Sequence, residues 1–239
     1  VCALPKDFLF LNYLRCHDDI GWGLDYPWLA QTSGTDEVAH KKFLNDWFTG
    51  KWPGSPSRGE LYNDDPRLGD ARLCGTTASL CGVEAAEGDP ALLERAVACD
   101  LTLHAWMLSQ SGIPVIYSGD EVGRLNDWSY HDDPDKREDS RYLHRGNFPW
   151  DLAERRTDPK TCQGKLFQGL RQQPRPGPQP EDGRAGAGVP VQLQRRVCPC
   201  PRGPGRRLYR SPVRNPAPWP PGCGAVAQRL CLAAARLTP

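Results

Sequence analysis

Three polar side chains stand in a row directly behind an apolar and aromatic run: FLFLNYLRCHDDIGW (residues 8–22) places His17, Asp18 and Asp19 at its far end. Two more acids, Asp120 and Glu121, close the run IPVIYSG (113–119) in the same way. Arg141, His144 and Arg145 lie in the acid-rich stretch DDPDKREDSRYLHR (132–145), and Arg72 lies in DARLCG (70–75). Carboxylates accept from hydroxyls and guanidinium groups donate in a fixed fork, so a cleft lined by both suits a neutral, hydroxyl-rich ligand. The eight Trp add flat faces on which sugar rings can stack.

Each of these features also has a plain structural use. His-Asp-Asp can cap a loop, Asp120-Glu121 can cap the following turn, and the arginines can form surface ion pairs worth under about 1 kcal/mol each. A His-Asp pair also occurs in metal-dependent phosphohydrolases. That chemistry needs more histidines in a helical setting, and the strand pattern around His17 argues against it.

The elements that must position these groups follow from the pattern of the chain. Residues 8–15 read as a short buried strand. From about residue 20 to 83, Gly, Pro, Asp, Asn and Trp are frequent and only AHKKFLNDWF (39–48) has helical spacing. A stretch this long between regular elements is rarely a plain loop and reads as an inserted subdomain. DPALLERAVACDLTLHAWMLSQSG (89–112) predicts a long helix, with Asp89 as cap, Pro90 in the first turn, Leu92, Leu93, Ala96, Val97, Leu101, Leu103, Trp106 and Leu108 apolar, and Gly112 to end it. The β-branched run from Ile113 is a second strand, residues 124–159 are polar and irregular, and TCQGKLFQGLRQQ (161–173) is a last short helix. Strand, acidic loop, helix, strand, acidic loop, helix is the order of a parallel α/β fold, whose chemistry gathers at the C-terminal strand ends.

The formal net charge of +1 suggests no polyanionic partner, but it averages two unlike parts. Residues 1–170 carry 18 Lys+Arg against 27 Asp+Glu, whereas residues 171–239 carry 12 Arg, no Lys, 2 acids and 14 Pro. That second part has neither helical nor strand periodicity, and its proline density breaks both. An arginine-rich nucleic-acid arm suits the charge. The abrupt change inside a helix, and the bias to residues with GC-rich codons, favour a frameshifted tail of low order over 171–239. The ten cysteines lack both the even spacing of a disulfide framework and the paired spacing of zinc knuckles, so reduced thiols, no metal and no cofactor are expected. The first residues, VCALPKDFLFLNYL, show no signal peptide and no membrane span, and a cytoplasmic protein with neither membrane nor nucleic-acid partner is the expectation.

FLNYLRCHDDIGW resembles the seventh-strand motif of glycoside hydrolase family 13, the α-amylase superfamily, in the His-Asp-Asp form of amylosucrases and sucrose hydrolases. GIPVIYSGDEVGRLND is similar to that family's eighth-strand segment, and DDPDKREDSRYLHR to the loop after it. The resemblance runs in order through residues 1–170 and implies the C-terminal part of a TIM (β/α)8 barrel, strands seven and eight with their helices, with the subdomain inserted after strand seven.

It also implies a retaining cleavage of an α-glucosidic bond, by a nucleophile and a general acid about 5 Å apart on the fourth and fifth strands. Asp18 would be the third carboxylate, the transition-state stabiliser, and His17 its hydroxyl-binding neighbour. Asp19 and Arg72 would hold the fructosyl unit of sucrose and Arg141 the glucosyl site. Lys41 and Asn63 depart from the pattern at positions that grip acceptor sugars, and lysine lacks the fork of arginine. No segment resembles the fourth- or fifth-strand motif, so these residues alone are expected to be inactive. An α-amylase or α-glucosidase-type hydrolase of maltooligosaccharides and a non-catalytic carbohydrate-binding protein are the alternatives.

Overall fold

The computed structural model describes residues 8–173. In chain order these form β1 (Leu11–Asn12), β2 (Ile20–Gly21), α1 (Tyr26–Ser33), α2 (Glu37–Phe48), β3 (Glu60–Asp65), β4 (Asp70–Cys74), α3 (Thr77–Cys81), α4 (Pro90–Leu108), β5 (Ile113–Pro114), α5 (Trp150–Ala153) and α6 (Cys162–Gln172). Short 3-10 turns cover Asp120–Val122, Trp128–Asp132, Ser140–His144 and Glu154–Thr157. The fold is mixed α/β, with one parallel and one antiparallel sheet. The low-order tail expected over 171–239 lies, beyond the end of α6, outside the described residues.

β1 and β5 pair in parallel, Leu11 opposite Ile113 and Asn12 opposite Pro114. The apolar runs predict longer strands, buried over 8–15 and extending past 114. The structure confines the ladder to two residues each and leaves Phe8, Leu9, Leu11 and Tyr13 more than half exposed. The reason is geometric: each strand has one paired edge, through Ile113 N–H to the Phe10 carbonyl (2.8 Å) and Val115 N–H to the Asn12 carbonyl (2.8 Å). Gly112 makes that approach possible, since it adopts φ 135° and a Cβ there would lie 2.5 Å from the Phe10 carbonyl oxygen.

Between these strands, β2, β4 and β3 form an antiparallel sheet in that order. Its register slips between Tyr62 and Asp65, where Asn63 takes the left-handed conformation, φ 51°. The sequence predicts one helix in this stretch, over 39–48; three are present, α1, α2 and the five-residue α3. α1 escapes the periodicity because most of its residues are exposed and its ends are fixed locally. Asp25 accepts from Trp28 N–H, Pro27 occupies the first turn, and Gly34 closes it at φ 65°.

α4 forms as its caps predict, with Asp89 accepting from the Ala91 and Leu92 amides. Its buried face is not the predicted apolar stripe. Ala96, Val97 and Met107 are buried together with Asp100 and His104, while Leu92, Leu103 and Trp106 are exposed. One buried cluster joins α3 to α4 through Ala78, Val83 and Ala96, with Leu93 and Cys162 against it. A second, Cys74, Tyr130 and Leu143, ties the end of β4 to the loops after β5, with Tyr62 and Tyr142 packed on it. The described cysteines, Cys16, Cys74, Cys81, Cys99 and Cys162, are free.

Candidate functional site

The corner that carries His17, Asp18 and Asp19 is built from β1 outward. Arg15, buried just past the strand, donates from Nε to the Gly75 carbonyl (2.9 Å) and from Nη2 to the Asp18 carbonyl (3.2 Å). One guanidinium fork thus pins the loop after β1 to the end of β4. The Asp18 amide donates to Cys16 Sγ at 3.4 Å, which tightens the turn further.

Asp18 then presents a half-exposed carboxylate. Arg141 Nη1 and Arg145 Nη2 each lie 3.4 Å from its Oδ1, and His17 Nε2 lies 3.3 Å from its Oδ2. Both arginines are held by other groups. Arg141 makes a two-pronged contact with Asp139, Nε to Oδ1 at 2.8 Å and Nη2 to Oδ2 at 2.9 Å, and lies over the Tyr62 ring. Arg145 donates from Nε to the His17 carbonyl (2.7 Å) and lies over the Tyr142 ring. The hydrogen bonds from Arg141 hold the Asp139 carboxyl below the usual carboxylate range. Asp18 keeps only the long contacts, so its oxygens remain able to accept from a ligand hydroxyl.

Arg72 stands on β4, exposed, opposite Tyr62 of β3 and Gly21 of β2, with Nη1 in the space a side chain at residue 21 would fill. With Trp22, Asn63, Asp70 and Ala71 it lines a pocket of about 210 Å³. Tyr62 links the two parts, being both the register partner of Arg72 and the ring beneath Arg141. His17, Asp18 and Arg141 are therefore in direct contact and Arg72 is one strand away, with Asp19 half-buried beside them. Lys41 does not reach the pocket as a free cation: its Nζ lies 2.6 Å from both Glu37 and Asp70.

Asp120 and Glu121 do not line a cleft. Asp120 is buried, accepts from Thr77 Oγ1 at 3.0 Å and faces His104; Glu121 accepts from the Gly119 amide at 2.8 Å. His144 is also buried. Burial, and then the positive Arg15, push its pKa down to about 3, and its Nδ1 accepts from the Gly75 amide at 3.3 Å. His144 braces the corner through the Gly75 amide and Asp120 through Thr77. Asp139, Tyr62 and Arg15 join the site without having been singled out from the sequence. Asp139 carries a signal, since it stands two residues before Arg141 at the capping position of the 3-10 turn Ser140–His144. Tyr62 carries none, because its place depends on a bulged register.

No three His, Cys, Asp or Glu side chains converge as metal ligands among the described residues, and none of their helices is long and apolar enough to cross a membrane. No protein-family model matches the chain. Among solved structures it is similar to the sucrose 6F-phosphate phosphorylase from Thermoanaerobacter thermosaccharolyticum, at 17% identity and a TM-score of 0.43. The match covers 66% of this chain, which spans 28% of the length of that protein.

Proposed function

We propose that residues 1–170 are the C-terminal part of the catalytic (β/α)8 barrel of a retaining, α-glucoside-cleaving enzyme of glycoside hydrolase family 13, amylosucrase-like and acting on sucrose. One observation carries this reading: Asp18 stands as a half-exposed carboxylate just past a parallel strand, with two arginines and a histidine within 3.4 Å and none of them bound tightly to it. β1, the intervening helices and β5 then take the places of the seventh and eighth strands with their crossover, and residues 20–83 are the inserted subdomain. The exposed apolar side chains of β1, β5 and α4 support the same reading, as surfaces shaped to be covered by neighbouring strands and helices.

In this reading Asp18 steadies the oxocarbenium-like glucosyl ring through its hydroxyls, while His17 and Arg141 bind the same sugar. Asp19 and Arg72 face the leaving sugar, and the Trp22 pocket receives part of it. The nucleophile and general acid come from polypeptide outside these residues, so residues 1–170 alone turn over no sucrose. The test is made in an enzyme completed by that polypeptide: Asp18→Ala lowers kcat on sucrose by about 10²–10³-fold, in the range for loss of one preorganised electrostatic partner. Undiminished turnover by the Asp18→Ala enzyme refutes the assignment, and cleavage of maltose in preference to sucrose moves the substrate to maltooligosaccharides.

A further inference from the structure

α4 carries a buried charge cluster that the site described above does not use. Asp100 and His104, four residues apart on one face, are both fully buried, and His104 Nδ1 lies 2.9 Å from Asp100 Oδ1 and 3.1 Å from the Asp100 carbonyl. On the other side of the ring, Nε2 lies 3.8 Å from Oδ2 of the buried Asp120, an ion-pair distance rather than a hydrogen bond. The other buried residues of α4 are apolar, Ala96, Val97 and Met107. Two carboxylates cannot both be ionised in such a place unless cations compensate them. A protonated His104 supplies one, and Arg15, which acts on Asp120 through space, supplies the other.

Burial pushes the Asp100 carboxyl up, with the His104 contact pulling against it, and the thiols of Cys81, Cys99 and Cys162 lie around the cluster. Burial pushes the Cys162 thiol of α6 up to about 11, and Cys81 of α3, hydrogen-bonded to Cys99 of α4, is also raised. Burial by itself opposes charge on His104, but its contacts with Asp100 and Asp120 outweigh that and push it up to about 10.

The cluster is connected to the Asp18 corner through a short series of named contacts. Asp120 accepts from Thr77 Oγ1 (3.0 Å) at the start of α3. Two residues back, the Gly75 carbonyl accepts from Arg15 Nε, and Arg15 Nη2 holds the Asp18 carbonyl. We propose that His104 is a positioning residue: its ring, wedged between Asp100 and Asp120, fixes the start of α3 and with it the corner that presents Asp18. The importance of that corner rests on the functional reading above, but the geometry of the latch does not.

The test uses the 239-residue chain and no sugar, so its failure is distinct from failure of the functional reading. The ring proton signals of His104 are followed by NMR from pH 5 to 11, and backbone hydrogen exchange is measured by mass spectrometry. His104 is expected to titrate near 10. Exchange at residues 16–18 and 75–77 is expected to be slow at pH 6 and, after correction for intrinsic rates, to lose protection as pH climbs toward 10. His104→Gln, which leaves two carboxylates facing each other, is expected to speed exchange there at least tenfold with α2 unchanged, and adding Asp120→Asn to restore protection. Titration near the ordinary value, or unchanged exchange at 16–18 in His104→Gln, overturns the proposal. Should His104→Gln lose protection everywhere, Thr77→Val, which removes only the hydroxyl that Asp120 accepts from, decides: faster exchange at 16–18 supports the proposal and unchanged exchange overturns it.

Discussion

Replacing Arg15 by Ala isolates what one buried guanidinium does for the candidate site. Arg15 is 3% exposed and joins the Gly75 carbonyl to the Asp18 carbonyl through one guanidinium. Two hydrogen bonds from a charged donor are worth about 1.5–3 kcal/mol each, and removing the donor leaves the buried Gly75 carbonyl without it. Against this stands the desolvation of the cation, visible in a pKa that burial draws below the ordinary arginine value. The difference is a loss of about 2–4 kcal/mol, a large part of the 5–15 kcal/mol typical of a folded domain. Urea unfolding followed by tryptophan fluorescence measures it as a lower midpoint at unchanged slope. Arg15→Lys recovers only part of the loss, because a single ammonium cannot serve two carbonyls in the geometry of a fork. A loss below about 0.5 kcal/mol in Arg15→Ala, the range of an ordinary surface substitution, would refute the claim that this residue pins the two loops together.

Two further outcomes follow from groups already placed. His144 is buried with its pKa near 3, below its unfolded value, so its contribution is full above the unfolded pKa and is lost as pH falls through the window toward 3. Unfolding free energy should therefore drop between pH 6 and 4 by up to about 1.4 kcal/mol per pH unit from this group, and His144→Asn should flatten that limb in a urea series. Gly112→Ala forces a side chain into φ 135° and onto the Phe10 carbonyl; thermal melts should show a loss of at least about 1 kcal/mol, and wild-type stability would deny that β1 and β5 meet there.

What could be read from the chain divides along physical lines. The cap and first turn of α4, Asp89 and Pro90, act locally and are legible, as are α6 and the parallel order of the two apolar runs. Their length is not, because it depends on partners across the sheet rather than on the run itself. The inward face of α4 was hidden by its composition: Leu92, Leu103 and Trp106 advertise burial, while Asp100 and His104 lie in the interior at ion-pair distance from each other, 2.9 Å. At the site, His17, Asp18 and Arg141 are adjacent as their types suggest, whereas Asp120 matched in type and proved to face inward. Side-chain direction at a turn is set by neighbours such as Thr77, which no local pattern announces.

The two-residue ladder between β1 and β5 also bears on the order in which the molecule assembles. Its partners are separated by about a hundred residues, so closing that loop costs about 2 kcal/mol more chain entropy than closing one of ten. The β3–β4 hairpin closes a far shorter loop, and the β2–β4 pairing one about half as long. The intervening segment should therefore acquire its shape first and act as a spacer that carries the two distant ends toward each other, leaving the β1–β5 ladder among the last parts to settle.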